Sequence, residues 1–416
     1  MNDTPTFTGD PECTRLLRGE VCRQSDEMEL IASENYVSAN VLHAMGTVFT
    51  NKYSEGYPGR RYYAGQEYTD QVEDLARERA KKLFNAKYAN VQPLSGAPAN
   101  FAVYLALLNP GDTIMGMDLA HGGHLTHGAK PSATSKLWKS VQYGVHPDTG
   151  RIDYDQVREI ALRERPHILV AGFSSYPRTV DWKTMKQIAD EVGAKTMADV
   201  AHIAGFIAAG QMENPLDVGF DVMTTTTHKT LRGPRGGVIL TNNPDLAKKI
   251  DSAVFPGLQG GPHMHSILAK ALAFGEAAQP AFAKYMSQVG SNAQALATAL
   301  QDRGVELITG GTENHIVLMN VASTFQTGGK AAQNILEKAG MSTNRNTIPR
   351  ETRTPFDPSG IRLGTPAMTT RGFRHAEFEQ TAEWIVEVLR SVQQDETALH
   401  VRDGVRTLCL SHPLPS

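Results

Sequence analysis

The 416-residue sequence has little cysteine, few aromatic residues, no long hydrophobic run and no excess of charge of one sign. The three cysteines (Cys13, Cys22 and Cys409) are odd in number and scattered, which argues against a disulfide framework. Lysine and arginine together number 41, against 44 for aspartate and glutamate, so the basic surplus of a nucleic-acid binder is missing. The longest apolar runs, such as residues 101–108, are too short to span a bilayer. The N-terminal segment is polar and acidic and lacks a signal-peptide core, so we expect a soluble, cytoplasmic protein.

The rest of the composition is that of a folded globular chain. Hydrophobic residues make up 40% and charged residues 20%, which argues against intrinsic disorder. From residue 70 to 280, helical periods alternate with short apolar runs. This alternation predicts an α/β domain with a mostly parallel central sheet covered by helices. We expect an N-terminal arm over residues 1–50, a large domain over 51–280 and a smaller α+β C-terminal domain over 281–416.

Individual segments are assigned from their periods and turn residues. The predicted helices are TRLLRGEVCRQSDEMELIAS, residues 70–84, PANFAVYLALLNPGD, VREIALRER, WKTMKQIADEVG, FAKYMSQVGSNAQALATALQDRG and EFEQTAEWIVEVLRSVQQ. The predicted strands are ANVQPL, TIMGMDL, HILVAGF, KTMADVA, DVMTTTT, ELITGG and HIVLMNV. Residues 51–66, rich in tyrosine and arginine without a clear period, predict a surface loop. Its composition favours contact with a partner or ligand over an ordinary exposed turn.

Two polar residues stand at the ends of predicted strands, where a parallel sheet binds its ligands. Lys229 ends the run MTTTTHK before a glycine-rich turn, and a desolvated lysine there would be a nucleophile able to form a Schiff base. A solvated surface lysine is the alternative. Asp199 lies in an apolar stretch, where a buried carboxylate needs a partner such as a protonated pyridine nitrogen. His202 lies three residues further on; a capping aspartate with a core histidine is the alternative.

Small residues precede a predicted helix at Ser95, Gly96 and Ala97. Free backbone N–H groups and the positive helix end favour a phosphate there, unless Ser95 is a plain N-cap. The glycines of FPGLQGGP offer a second close backbone approach or form a turn. Arg362, framed by glycine and small residues, suits bidentate capture of a carboxylate or is a surface arginine.

The segment HGGHLTH spaces His121, His124 and His127 by three residues, which permits a zinc site. The Gly-Gly insert disfavours a helix that would carry the three histidines on one face, and no HExxH pattern occurs. Stacking of His124 on an aromatic ring is an equally natural use. Taken together, the nucleophilic lysine, the acid, the phosphate-binding glycines, the histidine and the arginine fit pyridoxal phosphate and an amino-acid substrate.

At these motifs the sequence resembles the serine hydroxymethyltransferase family of fold-type I, aminotransferase-like pyridoxal-phosphate enzymes, from about residue 29 to beyond residue 372. The matching segments are LIASENYVS, NKYSEGYPGRRYYAG, ANVQPLSG, LAHGGHLTHG, ADVAHIAG, TTTTHKTLRGPRGG, SAVFPGLQGGP, GGTENH and SGIRLGTPA. The resemblance implies transfer of the one-carbon unit of L-serine to tetrahydrofolate, giving glycine and 5,10-methylenetetrahydrofolate. It also implies a bacterial-type homodimer with shared active sites, and no zinc.

The resemblance implies roles for individual residues. Lys229 would form the Schiff base with pyridoxal 5'-phosphate, Asp199 would keep the pyridine nitrogen protonated, and His124 would stack on the ring. The other implied cofactor contacts are His202, Ser174, Ser95, Gly96 and Ala97, with Tyr53, Gly260 and Gly261 from the neighbouring subunit. Arg362 and Ser33 would bind the substrate carboxylate. Glu55 and Tyr63 of the neighbouring subunit would transfer protons. Thr226 and His228 would tune Schiff-base exchange. The residues implied to lie near the pterin are Leu119, Gly123, Leu125 and Asn346.

The sequence departs from the family pattern at two places. Ala97 stands where the family usually has serine, so one hydroxyl donor to the phosphate is missing. Pro177 and Arg178 stand near Ser174 where many relatives have small residues. These changes keep open a related enzyme that acts on α-methylserine, threonine or another β-hydroxy amino acid, or a folate-independent aldolase. A catalytically silent binding protein and a zinc hydrolase are further alternatives.

Overall fold

Residues 7–415 are described by the computed structural model; residues 1–6 of the expected N-terminal arm, and Ser416, lie outside the described residues. The described residues group into two units. The large unit comprises Val37–Gly290 and Thr347–Arg350. The small unit comprises Ser291–Asn346 together with residues 7–36 and 351–415, so the first helix groups with the C-terminal residues. Over residues 7–415, no helix is both long enough and apolar enough to cross a membrane.

Helices occur in both units, and most of the longer ones coincide with predicted helical segments. In chain order they are α1 (Pro11–Asp26), α2 (Ala39–Met45), α3 (Glu67–Leu83), α4 (Gly96–Leu107), α5 (Thr134–Leu137), α6 (Tyr154–Glu164), α7 (Trp182–Val192), α8 (Ala204–Ala208), α9 (Pro244–Ser252), α10 (Met264–Ala277), α11 (Pro280–Asp302), α12 (Val321–Phe325), α13 (Gly329–Lys338), α14 (Pro366–Thr370), α15 (His375–Arg390) and α16 (Gln394–Ser411). The sequence analysis did not predict α10 or α16.

The strands form one large sheet and three small ones among the described residues. In chain order they are β1 (Met28–Glu29), β2 (Gly56–Tyr57), β3 (Arg60–Arg61), β4 (Tyr88–Asn90), β5 (Thr113–Met117), β6 (Lys139–Tyr143), β7 (Ile168–Gly172), β8 (Lys195–Asp199), β9 (Val222–Thr226), β10 (Gly237–Thr241), β11 (Ile316–Asn320), β12 (Met341–Ser342), β13 (Asn344–Asn346) and β14 (Gly360–Gly364). The large sheet has the order β4-β10-β9-β8-β7-β5-β6.

The large sheet is mostly parallel, which confirms the predicted α/β class. Strand β10 pairs antiparallel with β4 and β9, whereas β5 to β9 pair parallel with one another. Every residue of β5, β7, β9 and β10 is buried, because helices cover both faces, and such strands have continuous apolar or β-branched sequences. Since parallel strands end at one edge, the loops that follow them meet there.

The small unit combines an antiparallel sheet with helices, as expected for an α+β unit. Strand β14 lies between β11 and β13, and β1 pairs with β12. Two segment predictions were wrong. ELITGG contains a 3-10 turn at Ile308–Gly310 instead of a strand, since Thr309 has a φ of 65°. Residues 51–66 are not simply a loop, because β2 and β3 form a tight hairpin within them.

Arg371 joins the ends of two helices in the small unit. Its side chain is buried and donates hydrogen bonds to the backbone carbonyls of Gln24, Ser25, Glu27, Cys409 and His412. We expect Arg371→Met to lower the free energy of unfolding by about 3–5 kcal/mol, because several buried carbonyls lose their donor. Urea denaturation followed by circular dichroism measures this. The control is Arg406→Met on α16, whose side chain is 60% exposed and pairs with Asp26; we expect it to cost less than about 1 kcal/mol. Equal losses in both variants would contradict the prediction.

Candidate active site

Polar residues collect at the carboxyl edge of the large sheet. The residues in the loops that follow β4, β5, β7, β8 and β9 include Ser95, His124, Ser174, His202 and Lys229. Two contacts join neighbouring loops directly. The backbone N–H of Ser174 donates to the carbonyl of Gly122 at 2.7 Å. A Cβ added to Gly96 would lie 2.8 Å from Cγ2 of Thr226, so only glycine lets the first residue of α4 come this close to the end of β9.

Asp199, the last residue of β8, carries a buried and fully hydrogen-bonded carboxylate. Its Oδ2 accepts hydrogen bonds from Nε2 of His127 at 2.9 Å and Nδ2 of Asn100 at 2.8 Å. Its Oδ1 accepts one from the backbone N–H of Ala201 at 3.1 Å. Burial alone would raise the pKa of Asp199, but the hydrogen bonds from His127 and Asn100 and the nearby imidazoles hold that pKa well below its usual range. Asp199 is therefore a fixed negative charge.

Hydrogen bonds determine the tautomers of the two neighbouring histidines. Nδ1 of His127 accepts from the backbone N–H of His124 at 3.3 Å, which assigns the ring proton to the Nε2 that donates to Asp199. Nδ1 of His124 accepts from the backbone N–H of Thr126 at 3.2 Å. Burial lowers the pKa of His124 to about 4, so the half-buried His124 ring is neutral at pH 7.

Three side chains of this network are also close enough together to be considered as ligands of a zinc ion. Ligand atoms of His124, His127 and Asp199 lie within 4.8 Å of one another. However, both ring nitrogens of the fully buried His127 already serve hydrogen bonds to the protein, and Asp199 accepts three. The cluster is therefore occupied by its own hydrogen-bond network.

Lys229 lies beyond the end of β9 and is half-buried. The next residue, Thr230, donates its hydroxyl to the carbonyl of His202 at 3.0 Å and accepts from the backbone N–H of Gly205 at 3.0 Å. These bonds bring the Lys229 and His202 segments together. His228 precedes Lys229. Burial, followed by the charge of Lys229, lowers the pKa of His228 to about 3. Nδ1 of His228 has no hydrogen-bond partner among the described residues.

The start of α4 is available to an anion. Ser95 is its N-cap but makes no side-chain capping bond, and the first turn carries no acidic residue. Gly237 on β10 lies against Ser95, where its Cβ would approach the Ser95 carbonyl carbon to 2.9 Å. Gly96 and Ala97 thus present backbone N–H groups of a twelve-residue helix at the same edge as Lys229.

Lys270 on α10 holds the segment that leads to Ser95 in place. Its side chain is fully buried, and Nζ donates to the carbonyls of Val91 (2.6 Å), Pro93 (3.0 Å) and Gly237 (3.0 Å). Burial lowers the pKa of Lys270 to about 7, and the charge of Glu73 opposes this. The three carbonyls use all three ammonium protons, which joins the chain before Ser95 to strand β10.

A second cluster surrounds the β2–β3 hairpin. The rings of Tyr53 and Tyr63 meet edge to face with centroids 5.1 Å apart. The Glu55 charge, and the hydrogen bond that the Tyr53 hydroxyl donates to the Glu55 carboxylate, raise the pKa of Tyr53. A Cβ on Gly260 would lie 3.3 Å from Oε1 of Glu55, and one on Gly261 would lie 3.3 Å from the Tyr53 ring. The five residues that the resemblance assigns to the neighbouring subunit's site thus lie together.

Arg362 and its expected helper Ser33 lie together in the small unit. Arg362 is buried on β14, and its Nη2 donates to Oγ of Ser33 at 3.4 Å. Its Nε donates at 3.0 Å to Oδ1 of Asn344, the paired residue on β13. Burial lowers the pKa of Arg362 to about 10, so it stays a cation at neutral pH. Asn346 ends β13, two residues beyond Asn344.

The three predicted pterin residues of the large unit flank His124. Leu119 and Leu125 are 38% and 47% exposed, which is unusual for leucines beside a buried polar network. Gly123 has no room for a side chain, because a Cβ would come within 2.8 Å of the Met117 carbonyl carbon.

Sequence reasoning missed several residues that organise these clusters. His127 was considered only as a zinc ligand, and Asn100 only as part of the predicted helix PANFAVYLALLNPGD, although a polar residue inside an apolar helix is a signal. Lys270 carries a similar signal, an isolated lysine within ILAKALAF. Asn344 carried no signal, since only the pairing of β13 with β14 places it beside Arg362.

The mostly parallel sheet with polar residues at its carboxyl edge has the architecture of the fold-type I pyridoxal-phosphate enzymes. A family model described as Serine hydroxymethyltransferase matches residues 7–385. The chain is 54% identical over 416 residues to the serine hydroxymethyltransferase of Synechococcus sp. (strain JA-3-3Ab), covering 97% of this chain and 96% of that protein. It is 53% identical to that of Rippkaea orientalis, covering 98% and 96%. The chain therefore belongs to the serine hydroxymethyltransferase family, whose members depend on pyridoxal phosphate.

Proposed function

We propose that the protein interconverts L-serine and glycine and transfers the one-carbon unit to tetrahydrofolate, giving 5,10-methylenetetrahydrofolate. Membership of the family supports this reaction. The observation that carries the proposal is the buried Asp199 carboxylate, which His127 and Asn100 fix at the same sheet edge as Lys229. The predicted cytoplasmic location stays a prediction.

The residues present fit pyridoxal 5'-phosphate. Asp199 supplies the fixed charge for a protonated pyridine nitrogen, His124 supplies a neutral, flat ring, and Lys229 supplies an amine that can hold the cofactor covalently. Ser95, Gly96 and Ala97 would hold the phosphate, and Ser174 and His202 would complete the contacts from the neighbouring strand ends. When bound, the cofactor withdraws electrons from the bonds at the substrate α-carbon. Thr226 and His228 would tune exchange of the lysine for the substrate amine.

The alanine at position 97 predicts a lower affinity for the cofactor than a serine there would give. It is the second residue of α4, where a serine hydroxyl would add one donor to the phosphate. We expect Ala97→Ser to tighten binding by about tenfold, equivalent to about 1.5 kcal/mol for one bond to a charged group. Titration of the apoprotein with pyridoxal phosphate, followed by absorbance, measures the dissociation constant. Ala106→Ser, a partly buried position further along the same helix, is the control. Unchanged affinity in Ala97→Ser would contradict the prediction.

Arg362 would bind the substrate carboxylate, with Ser33 and Asn344 holding the guanidinium in place. A lysine at this position offers one nitrogen instead of a planar fork. We therefore expect Arg362→Lys to raise KM for serine by about 100-fold, close to 2.7 kcal/mol of binding, with a smaller effect on kcat. Steady-state kinetics at saturating folate measure both constants. Arg345→Lys, the next position along β13 from Asn344, is the control, because the Arg345 side chain donates to Oε1 of Gln333. An unchanged KM in Arg362→Lys would contradict this role.

The Tyr53–Glu55–Tyr63 cluster would act in the site of a second copy of the chain. Glu55 and Tyr63 would move protons at the hydroxymethyl group and the folate, while Tyr53, Gly260 and Gly261 would contact the phosphate. Leu119, Gly123, Leu125 and Asn346 would lie near the pterin, where the exposed leucines offer an apolar surface. These roles require a homodimer, because the cluster of one subunit would act in the site of the other. Analytical ultracentrifugation combined with assay tests it, and a fully active monomer would contradict it.

A visible absorption spectrum tests the reaction as a whole. Purified protein reconstituted with pyridoxal phosphate should be yellow, and glycine plus tetrahydrofolate together should produce a new long-wavelength band that neither produces alone. A band independent of folate would instead favour an aldolase, or an enzyme for α-methylserine or threonine, consistent with Pro177 and Arg178 near Ser174. A protein that stays colourless with added pyridoxal phosphate would overturn the proposed function.

A further inference from the structure

One arginine side chain donates hydrogen bonds to the backbone on both sides of Glu55. Nη1 of Arg61 donates to the carbonyl of Ser54 at 2.8 Å and to that of Gly56 at 2.9 Å. The backbone N–H of Tyr62 donates to the carbonyl of Glu55 itself at 3.1 Å. The Arg61 side chain is only 3% exposed, so water does not compete for these bonds. This guanidinium therefore helps to set the direction in which the Glu55 side chain leaves the hairpin.

The remaining nitrogens of that guanidinium are anchored to helix α3. Nε donates to Oδ1 of Asp70 at 2.8 Å, and Nη2 donates to Oε2 of Glu73 at 2.7 Å. Glu73 is 1% exposed, and its other oxygen accepts from Nε2 of Gln92 at 2.8 Å. Gln92 also donates to the carbonyl of Gly56 at 2.9 Å. The planar fork of arginine matches four acceptors at once, which a lysine with a single nitrogen does not.

We propose that Arg61 is a positioning residue for catalysis: it fixes the backbone of residues 54–56 against α3 and thereby directs the Glu55 carboxylate. The inference rests on the acid–base role proposed above for Glu55. Within residues 7–415, the groups found beside the half-buried Glu55 side chain are the Tyr53 hydroxyl and Gly260. A hairpin of two short strands is not rigid by itself, so its orientation comes from the Arg61 contacts.

A purely structural role for Arg61 has a different consequence. Arg61 also neutralises the buried Glu73, and loss of that pairing would destabilise the fold without any specific effect on proton transfer. The two roles are separated by combining changes at Arg61 and Glu55. If Arg61 acts through Glu55, its replacement matters only while Glu55 can transfer protons; a structural role reduces activity equally in either background.

The experiment compares Arg61→Lys, Glu55→Gln and the double variant as purified holoenzymes, with kcat and KM for serine expressed per folded, cofactor-loaded subunit. We expect Arg61→Lys to lower kcat by about 10–100-fold through misplacement of the carboxylate, with KM changed less than about threefold. In the Glu55→Gln background, the same change should lower kcat by less than about twofold. The control is Arg79→Lys, also on α3, where Nη1 donates to the carbonyl of Ala271 and not to the hairpin; its kcat should be unaltered.

Equal losses from Arg61→Lys in both backgrounds would overturn the positioning role while leaving Glu55 catalytic. Full kcat in Glu55→Gln alone would show that the proposed role of Glu55 is wrong, and the positioning role would fall with it. If Arg61→Lys does not fold, Arg61→Met combined with Glu73→Met removes both buried charges together and leaves neither unpaired. We expect this variant to retain the cofactor and to show the same loss of kcat; normal kcat would overturn the inference.

Discussion

Lys229→Ala is expected to lower kcat for serine cleavage by at least about 1,000-fold, because no other nucleophilic amine is proposed to hold the cofactor. The change should also remove covalent attachment. Treatment of the wild-type holoprotein with borohydride should fix the cofactor to the peptide that contains Lys229, whereas the variant should release it on denaturation. Mass spectrometry of the digested protein distinguishes the two results.

Lys195→Ala is the matched control for this experiment. Lys195 begins β8 at the opposite end from Asp199, and its partly exposed side chain pairs with Asp221. Loss of this surface ion pair should cost less than about 1 kcal/mol of stability and leave kcat unaltered. Borohydride labelling at any residue other than Lys229 in the wild type would contradict the assignment.

Asp199→Asn is expected to have the second-largest effect, a loss of about 100- to 1,000-fold in kcat. The amide keeps the size of the carboxylate and still accepts a hydrogen bond from Nε2 of His127, but the negative charge is gone. Since the carboxylate is proposed to keep the pyridine nitrogen protonated, the variant should absorb at altered wavelength even when fully loaded with cofactor. Stopped-flow absorbance and steady-state rates measure both effects.

The pH dependence of the wild type is a further check on Asp199. Its folded-state pKa lies below the ordinary value of 3.8, so the ionised form stabilises the fold at all pH values above that. That contribution is lost only as the pH falls below 3.8 toward the folded-state pKa, and the Asp199→Asn variant should lack this part of the acid transition. Asp155→Asn in the first turn of α6 is the control, because the Asp155 side chain is fully exposed. A kcat equal to wild type in Asp199→Asn would contradict the role.

The sheet was predictable from sequence because its strands are buried on both faces. Strands such as β7 and β9 therefore appear as uninterrupted apolar or β-branched runs, and the residues that follow them, including Asp199 and Lys229, could be placed at one edge. The family resemblance then supplied the proposed roles, which neither periodicity nor composition contains. The tautomer of His127 was out of reach, since it depends on hydrogen bonds to groups 3 and 72 residues away.

The hairpin β2–β3 could not be predicted for a different reason. Each of its strands has two residues, too few to show an alternating pattern, and its stability comes from Arg61 and the tertiary partners Asp70 and Glu73. Glu73 could have been recognised from the sequence as unusual, because it lies on the buried face of α3 with Ala76 and Ala80. A carboxylate on an apolar helix face indicates a buried partner, although not which residue provides it.

Lys270 has a consequence for the ionic conditions under which the protein works. Three backbone carbonyls converge on its ammonium group in the way that carbonyls elsewhere surround an alkali-metal ion. Here the amine is covalently part of the chain, so it cannot be exchanged for sodium or be diluted away. We therefore expect the loop that leads to Ser95 to keep its shape without a bound salt ion, whether the surrounding medium contains potassium or sodium.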